Sequence, residues 1–209
     1  MNTEPRRLTD PNDLKAVAHP LRMAILETLT LHGPMTATEL GERLGENPSN
    51  CSWHLRKLAQ HGFVAEAGGG IGRQRPWRAA HIGMRWDDGG SPDDDADLSV
   101  AGLALTQLLL DREQARLVAA IQQRPDDDPE WRDASTIAQS MAWLTADELA
   151  EINEAVTELI LSHRERLEKP GLRPAGSRLC ALMAWGVPNP SPAPTSQQPA
   201  TIAPRRDRA

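Results

Sequence analysis

Between Asp10 and Gly62 the apolar residues fall at three- and four-residue intervals, and Pro, Gly or a capping residue interrupts them at short spacing. That is the pattern of several short helices. Asp10-Pro11 reads as a start, with Asp at the cap, Pro at the first helical position and Asp13 three residues after the cap. This helix is predicted to stop at Ala18, because Pro20 lacks an N–H and disfavours helical backbone at His19. A second helix starts at Pro20, with Leu21, Ala24, Ile25, Thr28 and Leu29 as its inner stripe, and stops near Gly33-Pro34. Thr36 and Glu39 form a capping box for a third, whose Leu40 and Leu44 lie one turn apart before Gly45. Asn47 or Ser49 caps a fourth, where Cys51, Leu55 and Leu58 follow the i, i+4, i+7 spacing of a core-facing stripe and Gly62 is the stop.

The period then changes. Phe63 to Ala67 reads as a strand, Gly68 to Gly72 as a turn, and Arg73 to Ala80 as a returning strand, a hairpin with a loop too long for a two-residue turn. Asp87 to Asp97 is an acidic, Gly-containing linker. Val100 to Gln123 is strongly helical, with Leu103, Leu110, Leu117 and Ile121 near heptad spacing. Ser135 to Trp143 is expected to be a strand. Thr145 and Glu148 form a second capping box, opening a long helix to Lys169 with Leu149, Ile152, Val156, Leu159, Ile160 and Leu167 on one stripe. Leu179 to Val187 reads as a buried strand, and the chain from Pro188 as a Pro- and Ser-rich disordered tail.

These elements predict a mainly α (α+β) protein: a winged helix-turn-helix domain followed by a helical C-terminal domain with a few short antiparallel strands. The expected divisions are 1–10, a flexible N-terminus; 11–86, the winged helix-turn-helix; 87–97, the linker; 98–187, a dimerisation or regulatory domain; and 188–209, the tail.

Composition narrows the class. The 209 residues are 39% apolar, enough for real cores. No stretch approaches the roughly 20 apolar residues of a membrane span, and the first residues lack the apolar centre of a signal peptide, so a soluble, cytoplasmic protein without a membrane partner is expected. Cys51 and Cys180 give no disulfide framework. The net charge of -6 is unfavourable for nucleic acid, but it is unevenly spread. Met1 to Trp86 carries 11 Lys/Arg against 8 Asp/Glu, and the rest carries 12 against 21. Between Ser49 and Arg85, six Lys/Arg face Glu66 alone.

In a winged helix-turn-helix the last helix of the trio beginning here at Pro20 enters the major groove, and the hairpin lies along the backbone or minor groove. With Cys51, Leu55 and Leu58 inward, Ser49, Asn50, Ser52, Trp53, Arg56 and Gln60 face outward. The set expected to meet double-stranded DNA is these with Lys57, with His54, which flanks the core where a histidine is more often structural, and with Arg73, Gln74 and Arg75 from the hairpin. Short hydroxyl and amide groups suit phosphates and base edges, Arg56 suits guanine and Asn50 adenine. A polar helix face taken alone is usually solvated surface. The succession of caps, apolar triplet, glycine stop and basic hairpin is far more specific. An outward Trp53 adds to it, unless that ring packs beneath the wing.

The segments HPLRMAIL (His19 to Leu26), TATELGERLG (Thr36 to Gly45) and NPSNCSWHLRKLAQHGFV (Asn47 to Val64) resemble the DNA-binding domain of ArsR-like bacterial transcription regulators. The resemblance covers about residues 13–80. The remainder is more loosely similar to helix-turn-helix regulators of actinobacteria that carry an extra C-terminal domain. The resemblance implies a homodimeric regulator of transcription, more often a repressor, reading an inverted repeat. Metal-sensing members place paired cysteines in the helix equivalent to Thr36 to Leu44, where this chain has none. Cys51 with His54 has no second pair at zinc spacing, so neither metal nor cofactor is expected.

No phosphate loop or nucleophile elbow is present, since GGGIGRQR lacks the lysine and the following helix, and no enzymatic activity is expected. The Asp93–Asp95 and Asp126–Asp128 runs read as solvated linkers. Two other readings stay open. One is a winged-helix module that binds protein rather than DNA. The other is a regulator responding to an unknown small-molecule effector held near Trp131, Trp143 and Trp185.

Overall fold

The computed structural model describes residues 5–68, 75–86 and 96–189. Its described elements run β1 (Arg6–Leu8), α1 (Pro11–Val17), α2 (Pro20–His32), α3 (Ala37–Leu44), α4 (Pro48–Gln60), β2 (Val64–Glu66), β3 (Trp77–Ala79), β4 (Met84–Trp86), α5 (Ala96–Gln123), α6 (Pro129–Ala134), α7 (Ala146–Leu161) and α8 (Glu165–Glu168). The caps work as the sequence implies. The Asp10 side chain accepts from the Asn12 N–H. Thr36 and Glu39 exchange both bonds of a capping box. Asn47 accepts from Ser49, which settles the start of α4 in favour of Asn47. Each satisfies donors that the first turn of a helix leaves open.

The core lies between α1, α2, α3 and α4, where Leu14, Val17, Ile25, Leu29, Leu40, Cys51, Leu55 and Leu58 are fully or almost fully buried. On α2 the buried stripe is wider than expected. Arg22 and Met23 join Ile25, Thr28 and Leu29, while Leu21 and Ala24 are only half-buried. The cause is that α2 is covered from several sides, by α3, α4, β3 and α8.

Strands β2 and β3 pair antiparallel, Val64 opposite Ala79 and Glu66 opposite Trp77, as a wing hairpin requires. Met35 bridges Trp77 with bonds of 2.9 and 2.7 Å and so ties the wing to the entrance of α3. The turn expected at Gly68 to Gly72 lies, beyond Gly68, outside the described residues.

Arg6–Leu8 is not the flexible segment expected of residues 1–10. It pairs in parallel with Met84–Trp86 and buries Leu8. A three-residue strand carries no readable alternation, so the sequence alone does not reveal it.

The expected boundary at 87–97 also separates elements that pack together. Helix α5 begins at Ala96, lies on α1, and buries Ala101 and Leu105 in the same core as α4. Lys15 bonds Asp97 at 3.1 Å, and the Trp86 indole donates to Thr106 at 3.0 Å. Glu27 on α2 receives Arg116 at 2.6 Å and also pairs with Arg112. The chain instead divides into one unit of Met1–Ser140 with Leu161–Ala181 and a second of Met141–Ile160 with Leu182–Ala209. In the first unit, Asp127 and Asp128 are not simply solvated. Both pair with Arg178, whose guanidinium also stacks on Trp131 at 4.7 Å.

Two expected strands are absent. Residues 135–143 and 179–187 adopt no regular structure, and Ile137, Met141, Leu179, Leu182 and Val187 are exposed. An apolar run becomes a strand only where another strand takes its backbone bonds, and neither run has one here. The Thr145 and Glu148 capping box is present, at 2.7 and 3.2 Å. The helix it opens ends at Leu161 rather than Lys169, with a turn before α8 where Ser162 and His163 favour helix weakly. In the second unit the Asn153 amide holds the carbonyl of Gly186 at 3.0 Å, so close that a Cβ on Gly186 would fall 2.4 Å from the Asn153 side chain. Trp143 and Trp185, two of the three rings expected near an effector, are exposed.

Candidate nucleic-acid interface

Helix α4 is fixed at both ends. At its entrance the chain leaves α3 through Gly45, at φ 68°, a left-handed conformation that suits glycine. The turn passes directly over Gly41. A Cβ there would lie 2.7 Å from the Glu46 carbonyl oxygen and 3.2 Å from the Pro48 nitrogen. At its exit, Arg6 donates to the His61 carbonyl and pairs with Asp13, while Asp13 meets the His61 ring at 2.9 Å. The Arg6 guanidinium also lies 4.3 Å from the Phe63 ring centre. Two N-terminal segments, β1 and α1, thus hold the end of α4, and the unexpected strand β1 supplies the cation.

Between these ends Cys51, Leu55 and Leu58 face inward with no exposed surface. Ser49, Asn50, Trp53, Arg56 and Gln60 are exposed, Ser52 and Lys57 half-buried. Trp53 is 56% exposed, so it does not pack beneath the wing. The Arg56 guanidinium donates to the Ser52 hydroxyl at 3.0 Å, and the Asn50 amide donates to the Glu46 carboxylate at 3.0 Å. Ser52 and Arg56 are an i, i+4 pair on the helix, and Glu46 reaches Asn50 from the turn before it, so both side chains are steadied before any ligand arrives. Glu46 escaped the sequence reading because it precedes the cap. Its distance of four residues from Asn50 was the available signal.

His54 is a correction. It is 4% exposed, turned in from the face that carries Trp53 and Arg56. Its ring lies 4.6 Å from that of His19 and edge-on to Trp53 at 4.8 Å. Burial, then His19 and Arg22, hold its pKa below the ordinary 6.5, against an opposing pull from Glu46. His19 is shifted the same way, by burial and Arg22. Burial and Glu46 raise the Cys51 thiol, so it stays protonated. Arg22 is itself buried; its Nη2 donates to the Lys15 carbonyl at 3.1 Å and its Nε has no partner.

On the wing, Arg73 and Gln74 lie outside the described residues. Arg75 is exposed and paired with Glu66 at 2.6 Å, so part of its charge is already answered. Arg78 and Arg85 are exposed as well. A rigid helix presenting hydroxyl, amide, indole and guanidinium groups beside basic strands can meet phosphates and base edges together. Among the described residues, no helix is long and apolar enough to cross a membrane.

The comparisons with known proteins agree with the first half of this picture. A family model described as a helix-turn-helix domain matches residues 17–67, from the end of α1 to the first strand of the wing. This span lies within the stretch that resembles ArsR-like regulators. A solved structure, the YusO protein from Bacillus subtilis, is 16% identical over 71% of this chain and 82% of its own, with a TM-score of 0.30, too loose a likeness to bear on residues. No curated protein matches the chain.

Proposed function

We propose that this chain, a regulator with a helix-turn-helix DNA-binding domain at residues 17–67, is a sequence-specific homodimeric repressor that reads an inverted repeat with α4 and the wing. One observation carries the reading: the apolar stripe of α4 is sealed in the core while Trp53, Arg56, Asn50 and Ser49 stand outward on the same rigid helix. In this reading Arg56 selects one base pair, and Asn50 with Glu46 reads a neighbour offering an amino group. Ser49 and Lys57 meet phosphates, and the wing arginines add sequence-independent attraction.

The homodimer reading is supported by α5. Beyond the core contact it leaves Val100, Leu103, Leu117, Val118 and Ile121 about half exposed or more, an apolar stripe along a helix about 42 Å long. A two-fold pairing through such a helix would set two copies of α4 roughly 10 base pairs apart on DNA. A mobility shift on random-sequence duplexes at rising salt tests the proposal. Retention at low salt, steep loss with salt and enrichment of an inverted repeat are expected. No retention at low salt refutes it and favours a protein-binding winged helix.

A further inference from the structure

We propose that His19 and His54 form an acid-sensitive latch, which keeps α4 seated on α2 only while both rings are neutral and releases DNA when either takes a proton. The release of DNA rests on the reading of α4 given above; the latch itself does not.

Three features of the geometry require neutral rings. First, His19 is the N-cap of α2. Its Nδ1 accepts the Leu21 N–H at 3.1 Å. A backbone N–H can only donate, so Nδ1 carries no proton here. An imidazolium has a hydrogen on both nitrogens and loses this bond. Second, the His54 Nδ1 is buried with no hydrogen-bond partner among the described residues. A bare acceptor there is tolerable, whereas a charged N–H without an acceptor is far more costly. Third, the rings lie 4.6 Å apart, so the first charge opposes the second.

The surrounding charges act in the same direction. On α2, Arg22 is a buried cation that bears on both rings, and no carboxylate among the described residues pairs with it; its bond is to the Lys15 carbonyl on α1. On α4, Cys51 is held as the neutral thiol, the Trp53 ring stands perpendicular to that of His54, and Asn50 borders the surface depression that His19 and His54 line. Leu21, Ala24 and Leu44 form its apolar wall. Glu46, in the turn between α3 and α4, is the acid that opposes the shift, but its carboxylate also receives Asn50 and leaves both rings disfavoured as cations. Asp13 and His61 lie at the far end of α4, about two turns away.

The sign follows. Both rings bind protons less readily in the folded chain than when free. Stability is therefore full above the ordinary value of 6.5 and falls as the pH drops below it. The strain falls on the half of α4 that carries Asn50 and Trp53. Histidines facing phosphate would have the reverse effect on DNA, since acid would strengthen their contacts.

The test uses the full chain. Ring-proton NMR titration of the wild type is expected to place His19 and His54 below free histidine. Denaturant midpoints measured from about pH 7.5 to about pH 5 should fall for the wild type, and fall less for His54→Gln and for His19→Asn, in which Asn keeps a capping oxygen without the proton. Random-sequence duplexes held at the higher pH should be released at about pH 5.5 at constant salt, and the double variant His19→Asn/His54→Gln, which has neither ring, should retain them. Rings that titrate at or above the ordinary value, an equal pH slope in all three proteins, or tighter duplex binding in acid would overturn the latch. Low-titrating rings and a flattened slope, with no duplex held at either pH, would support the latch and refute the DNA reading of α4.

Discussion

Helices α4 and α7 begin alike and end differently. Each opens on a capping residue, Asn47 in one and Thr145 in the other, and each has an apolar stripe at helical spacing. Yet Cys51, Leu55 and Leu58 of α4 are wholly buried, whereas no residue of α7 is buried and Leu159 is 72% exposed. The difference is what lies opposite. Helices α1, α2 and α3 and strand β2 all pack on α4. Helix α7 has the irregular segment around Gly186 beside it, joined through Asn153. Periodicity therefore declares a helix and its sticky side, while burial depends on a partner that periodicity does not name.

The contrast breaks most sharply under the same substitution in both helices. Leu55→Ala should lower the unfolding free energy by about 2–5 kcal/mol, because it removes a fully buried side chain and leaves a cavity. Leu159→Ala should change it by less than about 0.5 kcal/mol. Chemical denaturation of the two variants measures both. An equal loss would mean that α7 is covered in solution.

A second comparison sets stability against recognition within α4. Gly41→Ala should cost about 1–3 kcal/mol of stability, because the new methyl meets backbone in the turn before α4. Arg56→Ala should leave the unfolding curve unchanged and weaken specific DNA binding by about 1–3 kcal/mol, relaxing selection at one position. A destabilised Arg56→Ala would show that its bond to Ser52 supports the helix rather than a reading surface.

The capping boxes sharpen the contrast further. Thr36→Ala and Thr145→Ala remove the same bonds and should each cost their own helix about 1 kcal/mol. Only the first should shift the main unfolding midpoint. The second should lower helical circular dichroism before that transition. The smallest effect is expected at the wing, where Arg75→Ala should flatten the salt dependence of DNA binding by less than one counterion, since Glu66 already answers part of its charge.

The sequence was most legible where local chemistry decides the outcome. Pro11, Pro20, Thr36 and Gly45 mark helix ends by their own backbone and side-chain preferences, and the structure has those ends. The outward face of α4 followed from the three core residues alone. What was not legible depends on distant chain. Arg6–Leu8 becomes a strand only because Met84–Trp86 lies beside it. His54 sits at the margin of the apolar stripe, and it is inward because the His19 ring covers it. The runs at 135–143 and 179–187 have strand composition but no neighbouring strand, and composition does not reveal that.

One experiment decides whether the outward face of α4 reads DNA: selection from a random duplex pool with the wild type and Arg56→Ala side by side. The expected result is a single inverted repeat for the wild type, with half-sites roughly 10 base pairs apart, and the loss of preference at one position of each half-site in the variant. Recovery of the same motif at the same affinity by both proteins, or of no motif by either, would contradict it.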